Sequence, residues 1–289
     1  MQSENEMAAG TILVTGGTGK TGRRVAHRLA GRGLPVRIGS RGGEPSFDWT
    51  EQSTWEPVLR GVTAAYLAYQ PDLSFPGAAE TVRSFADLAV RNGVRRLVLL
   101  SGRGEEEVFP AERAVRESGA DWTILRAAWF AQNFSEDFLL APLLAGEVLL
   151  PVGDVPEPFV DADDIADVAD AALTEPGHAG QLYELTGPRL LTFADATAGI
   201  ARAAGRDIRF VRVDPQRYAE DLVGLGVPAE AAVPLVDLFT RVLDGRNAHL
   251  ADGVRRALGR EPRDFTGYAE RTAATGVWSA VPVPAGGPS

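Results

Sequence analysis

The chain has 289 residues, 45% of them hydrophobic, which is enough for one packed α/β core with a smaller appended lobe. Its 39 acidic residues outnumber its 29 basic ones, giving a formal charge of −10; the arginines are scattered among the carboxylates, so no basic stripe exists for nucleic acid. Cysteine is absent, which excludes disulfides, thiolate metal sites and a cysteine nucleophile. The acidic opening residues lack the basic and apolar regions of a signal peptide, and no apolar run reaches membrane-spanning length, so a cytoplasmic protein without membrane contact is expected. Residues 1–9 and the Pro/Gly-rich 281–289 carry no periodic apolar pattern and read as disordered ends. Arginine almost wholly replaces lysine, which suits a GC-rich bacterial genome.

In chain order, the first element is an apolar strand over 11–15 that runs directly into Gly16-Gly17-Thr18-Gly19-Lys20-Thr21-Gly22. Glycines spaced G-x-x-G-x-x-G let the chain turn sharply off a strand and present backbone N–H groups to a diphosphate. They also let the next helix pack closely, and that helix is expected over 20–31. Gly19-Lys20-Thr21 also resembles the end of a P-loop, but Val14 stands where that motif needs glycine. Lys20, the only lysine, is therefore read as a helix-start residue near the pyrophosphate. A second strand over 35–41 ends Ser40-Arg41, where an NAD site places an acidic residue for the ribose 2′-OH; arginine there suits a 2′-phosphate, so NADP(H) is favoured over NAD(H).

Residues 46–49 read as a short third strand, with Asp48 either accepting from the adenine amino group or serving as a surface turn carboxylate. A short helix over 55–61 and a buried strand over 63–69 follow, the latter bringing Tyr69 and Gln70 toward the nicotinamide side. Helix 77–92, the apolar strand 96–102, helix 105–118 and strand 121–126 complete a repeated strand–helix pattern, which implies a doubly wound parallel sheet. The core is expected over 10–150, with its sheet completed by segments within 151–188, and a mainly helical substrate lobe over 189–280 closing a cavity at the nicotinamide end. Strands at 147–152, 182–187 and 208–213 and helices at 161–173 and 193–204 fall in these later regions.

With these elements placed, the chain resembles the NmrA-like branch of atypical short-chain dehydrogenase/reductases. The resemblance rests on the glycine loop and Arg41, on Phe47-Asp48-Trp49 and on Ser118-Gly119-Ala120-Asp121-Trp122-Thr123-Ile124-Leu125-Arg126. It extends through Trp129-Phe130, Asn133-Phe134 and Phe159-Val160-Asp161-Ala162-Asp163-Asp164-Ile165-Ala166 to residues 260–265. It implies a Rossmann fold and NAD(P)H-dependent reduction of small molecules, in a branch that includes quinone reductases, reductases of alkaloid iminium ions or unsaturated carbonyls, and silent redox-sensing regulators. Ala127-Ala128 stand where the family often has proline after the strand.

None of Tyr66, Tyr69, Tyr183, Tyr218 and Tyr268 has a lysine four residues on, so the usual tyrosine–lysine proton donor is missing. Ser101 at a strand end is the remaining candidate, both as a hydrogen-bond donor to the substrate and as a cofactor contact. Hydride acceptors that need little acid assistance are therefore favoured: quinones, iminium ions, enones or aromatic polycyclic ketones, of the kind met in secondary metabolism. The other reading is a non-catalytic NADP(H) sensor acting through a protein partner. Trp129, Phe130 and Phe134 could supply flat walls to a polycyclic ligand or serve as ordinary core, and Gln132 and Asn133 could orient a carbonyl. Asp161, Asp163 and Asp164 precede an apolar helix, so capping is preferred over a metal site. His27 is expected on the surface, His178 in an exposed loop and His249 in the terminal lobe. Nothing in the sequence speaks to oligomeric state.

Overall fold

The computed structural model describes residues 10–279, apart from 225–227, 229–231, 233–235, 237–238 and 241. The described residues divide into two compact units: those within 10–128, 160–186 and 251–262 form the first, and those within 129–159, 187–250 and 263–279 the second.

The first unit is an α/β Rossmann fold. Its strands β1 (Thr11–Thr15), β2 (Val36–Gly39), β3 (Val62–Leu67), β4 (Arg96–Gly102) and β5 (Asp121–Ala127) are all parallel. A sixth strand from later in the chain, Gln181–Leu185, completes a sheet in which β1 lies between β2 and β3. Ile12, Leu13 and Val14 on β1 and Leu97, Val98 and Leu99 on β4 are buried without alternation, as a sheet covered on both faces requires. Helices α1 (Gly22–Gly31), α2 (Trp55–Leu59), α3 (Ala78–Arg91) and α4 (Phe109–Glu117) connect these strands. Under the sheet, Phe47, Trp49, Trp55 and Phe85 pack edge to face, with centroids 4.9 to 6.4 Å apart.

A later helix, Ala162–Thr174, lies against α1. Asp161 caps it by accepting from the Asp163 amide at 2.9 Å, while Asp163 and Asp167 pair with Arg28 of α1 at 2.8 and 2.5 Å. Asp164 is fully buried and meets Arg260 at 2.7 Å. The aspartates thus carry a cap and a helix-to-helix ion-pair network.

Two expectations need correction here. Residues 46–49 are not a strand: the Phe47 amide donates to Ser40 O, the Asp48 amide to Thr54 Oγ1, and Trp55 Nε1 to Asp48 O, so the segment spends its polar backbone on a turn. The outer edge of β2 is therefore left unpaired at the margin of the sheet. His178 is buried, with its ring 3.0 Å from the Tyr183 hydroxyl and its carbonyl accepting from Thr123 Oγ1, because the loop folds in before the sixth strand.

The second unit begins at Trp129. It holds short helices α5 (Asn133–Glu136) and α6 (Leu140–Ala145) and strand β6 (Glu147–Leu150). Numbering onward in chain order, the helix at Ala162–Thr174 is α7 and the strand at Gln181–Leu185 is β7; α8 (Phe193–Ala204), β8 (Arg209–Arg212) and α9 (Pro215–Gly224) follow. Residues 129–150, expected in the nucleotide-binding core, lie in this second unit, because β6 pairs in parallel with β8 as a separate two-stranded sheet. Helix α8 opens with a reciprocal capping box between Thr192 and Asp195. Its Phe193 joins Phe134, Phe159 and Phe265 in an aromatic core. The proposed disordered ends fall outside the described residues, and among those described no helix is long and apolar enough to cross a membrane.

Candidate cofactor site

Strand β1 stops because its next residue, Gly16, takes a φ of 61°, a left-handed conformation that favours glycine. The loop then folds back on itself, with the Gly19 amide donating to Gly16 O at 2.8 Å. Gly22 starts α1 so close to this turn that a Cβ there would stand 2.2 Å from Gly16 O and 2.9 Å from Gly17 Cα. A Cβ on Gly17 would likewise lie 2.7 Å from Ile38 Cγ2 on β2. Three glycines therefore let strand, loop and helix approach at backbone distance, which is the arrangement a diphosphate needs in order to meet backbone N–H groups at a helix start. Thr15, unnoticed in the sequence, braces the turn: its hydroxyl donates to Tyr66 O at 3.1 Å and accepts from the Ala68 amide at 2.9 Å, tying the end of β1 to the end of β3.

Beside the loop lies a cleft of about 340 Å³, lined by Gly16, Thr18, Ser40, Arg41, Asp48 and Gln70 together with Gly39, Phe47, Trp49, Thr50 and Pro71. It thus unites the glycine loop with the basic tip of β2 and the residues after β3, within the size range of small-ligand sites. Arg41 is exposed at the mouth. Asp48 accepts from the Thr50 amide and hydroxyl at 2.9 and 2.8 Å, which lowers its pKa below the usual carboxylate value, with Arg41 adding a smaller attraction. The donors and the concave surface suit an anionic dinucleotide. Gly19, Lys20, Thr21 and Gly22 shape the loop behind this cleft without lining it.

Two expected contacts are placed differently. Tyr69 packs on the Trp49 ring at 5.1 Å and does not line the cleft. Ser101, 4% exposed, donates its hydroxyl proton to Glu112 Oε1 at 2.8 Å. That carboxylate, 1% exposed, is clamped by Arg126 through bonds of 2.7 and 2.6 Å, and Arg116 approaches at 3.4 Å. Ser101 therefore has no proton left for a substrate, and its neighbourhood is a buried charge network.

The structure instead reveals Glu105, which the sequence reading had absorbed into a helix. It sits in the loop after β4, and a Cβ added to Gly102 would touch its Oε1 at 2.2 Å, so the carboxyl lies flat against the strand's end. Burial pushes its pKa up to about 7, and the negative charges of Asp72 and Glu107 add to the shift. The only trace in sequence is the run Glu105-Glu106-Glu107, which follows the apolar strand after Arg103 and Gly104.

In the second unit, Trp129 packs on Phe193 and Phe239 at 5.7 and 5.5 Å and remains half-buried, as do Phe130 and Asn133. Phe134 is fully buried among Phe159, Phe193 and Phe265, so it is core and offers no face to a ligand.

The family model described as NAD(P)H-binding matches residues 16–176. Agroclavine dehydrogenase of Claviceps fusiformis is 33% identical, with 89% of this chain and 96% of that protein covered. An NAD(P)H azoreductase of Xenophilus azovorans is 30% identical, with 91% and 98% covered. Among solved structures, the NADPH-dependent quinone oxidoreductase QOR2 of Escherichia coli in complex with NADPH shares the fold at a TM-score of 0.72 and 21% identity, covering 90% of this chain and 99% of that one. The chain belongs to the NAD(P)H-binding family and is an NAD(P)H-dependent oxidoreductase.

Proposed function

We propose that the protein is an NADPH-preferring reductase that passes hydride to an activated small-molecule acceptor, of the quinone, iminium, enone or aromatic polycyclic ketone type. The observation that carries the cofactor preference is the cleft wall Gly39-Ser40-Arg41, which has a guanidinium and no carboxylate where β2 ends. In this reading the backbone of residues 16–22 faces the diphosphate, Arg41 and Ser40 meet the 2′-phosphate, Asp48 faces the adenine, and Gln70 lies on the nicotinamide side. Reduced nicotinamide supplies the hydride when bound.

The acceptor class follows from what the chain lacks and from its relatives. No tyrosine has a lysine partner four residues on, and Ser101 is committed to Glu112, so a simple aliphatic ketone would find no conventional acid. Relatives named for a clavine alkaloid and for azo compounds act on conjugated molecules, which supports the same class here. Trp129, Phe130 and Asn133 remain the candidate substrate contacts, and secondary metabolism the candidate setting.

The test is calorimetric titration with NADPH, NADP, NADH and NAD, for the parent protein and Arg41→Ala. The parent should bind NADPH tightest, and the variant should lose about 10- to 100-fold on the phosphate-bearing pair alone, the span of one or two charge-assisted bonds. Equal losses on all four nucleotides would remove the 2′-phosphate role. Tight binding without deuteride transfer from labelled NADPH to quinones, enones and iminium ions would turn the reading toward a redox sensor.

A further inference from the structure

Resting on the reductase reading, we propose that Glu105 is the proton donor of this enzyme, delivering its carboxyl proton to the oxygen of a carbonyl-type acceptor as hydride arrives at the conjugated carbon. The position of the residue comes first. Ligands of open parallel sheets bind outside the carboxyl ends of the strands, near the point where strand order reverses, which here lies between β1 and β3. Glu105 follows β4, the neighbour of β3, and its carboxyl presses on Gly102 at the very end of that strand. Asp72, whose charge acts on Glu105, follows Gln70 and Pro71, and those two residues already line the cofactor cleft. Pro71 on the cleft wall thus leads along the chain into Asp72, whose charge acts on Glu105.

The surroundings favour a neutral acid at this point. Asp72 accepts from the Ser74 amide and hydroxyl, both at 2.8 Å, which fixes the carboxylate whose charge acts on Glu105. Glu107, two residues on, adds a second negative charge, so both charges acting on Glu105 are carboxylates. Desolvation and two negative neighbours keep a proton on the carboxyl into the neutral range, where a general acid is most effective. Gly102 is what makes the placement possible, since any side chain there would displace the carboxyl.

The step balances as follows. Hydride, carrying two electrons, bonds to the acceptor carbon, and the π pair of the conjugated carbonyl moves to oxygen. The Glu105 O–H bond breaks and its proton joins that oxygen, leaving a carboxylate that regains a proton from water. An iminium ion, which gains no negative charge, has no use for the donor. The inference therefore favours carbonyl-type acceptors over iminium ions within the proposed class.

The experiment compares the parent protein with Glu105→Gln and Gly102→Ala. Infrared difference spectroscopy of the cofactor-free protein should show a protonated carboxyl titrating near pH 7 in the parent, absent in Glu105→Gln and shifted in Gly102→Ala. With a quinone or enone acceptor, kcat should fall at least tenfold in Glu105→Gln, with the alkaline decline through pH 7 abolished and NADPH affinity within twofold of the parent. A carboxyl titration that survives Glu105→Gln, or unchanged kcat and pH profile in a variant that binds NADPH normally, overturns the proposal. Loss of nucleotide binding by the parent itself would instead sink the reductase reading, whatever the infrared titration shows.

Discussion

Gly22→Ala tests the cofactor loop at a position that carries no functional side chain. An added Cβ would stand 2.2 Å from Gly16 O, 2.7 Å from Gly16 C and 2.9 Å from Gly17 Cα, and all three atoms are backbone. Ordinary contact begins near 3.4 Å, so the turn must retreat by about 1.2 Å, an overpacking that costs on the order of 1–3 kcal/mol. The free protein can relax by swinging the loop away from α1, but a diphosphate must pull it back, so the cost is expected in binding. That corresponds to a loss of about 5- to 150-fold in affinity for NADPH and NADP alike. Gly31→Ala is the matched control: it lies at the other end of the same helix with nothing within 4 Å of the added Cβ, and alanine should there stabilise the helix by about 0.5–1 kcal/mol. Calorimetric titration gives the affinities and thermal unfolding confirms that both variants fold. If Gly22→Ala binds NADPH within twofold of the parent, the close approach of loop and helix does not form the diphosphate site.

Other outcomes follow from the buried polar groups. Glu112→Ala leaves Arg126 without its bidentate partner and Ser101 without its acceptor, which should cost about 3 kcal/mol in urea unfolding; less than 1 would show that water replaces the carboxylate. His178 is held below the ordinary imidazole value of 6.5, chiefly by burial. As pH falls through 6.5 the unfolded chain therefore takes up a proton that the folded chain resists, and stability drops. His178→Gln should flatten that acid limb between about pH 5 and 7, and an unchanged slope would assign it to other groups.

Much of the Rossmann unit was legible because its signals are local. The apolar runs at β1 and β4, the glycine spacing and the Ser40-Arg41 tip each depend on a few adjacent residues, and the structure brings them to one cleft. The segment 46–49 was misread because a Phe-Asp-Trp run has strand propensity, whereas Ser40, Thr54 and Trp55 capture its backbone groups. Ser101 and Glu105 were misjudged for a related reason. Which hydroxyl is already bonded, and which carboxyl is desolvated beside two others, depends on residues 11 positions away in one case and on the loop after another strand in the second.

By itself the sequence determined the parallel-sheet class, the glycine loop and the absence of a tyrosine–lysine pair, since hydrophobic period, backbone freedom and residue inventory are properties of the chain alone. Only the tertiary structure decided that β6 leaves the core to pair with β8, that Phe134 is core, that Ser101 is spent on Glu112 and that Glu105 is a half-buried acid. Strand partners, burial and proton affinity are set by what long-range folding places nearby, and local sequence does not encode that neighbourhood.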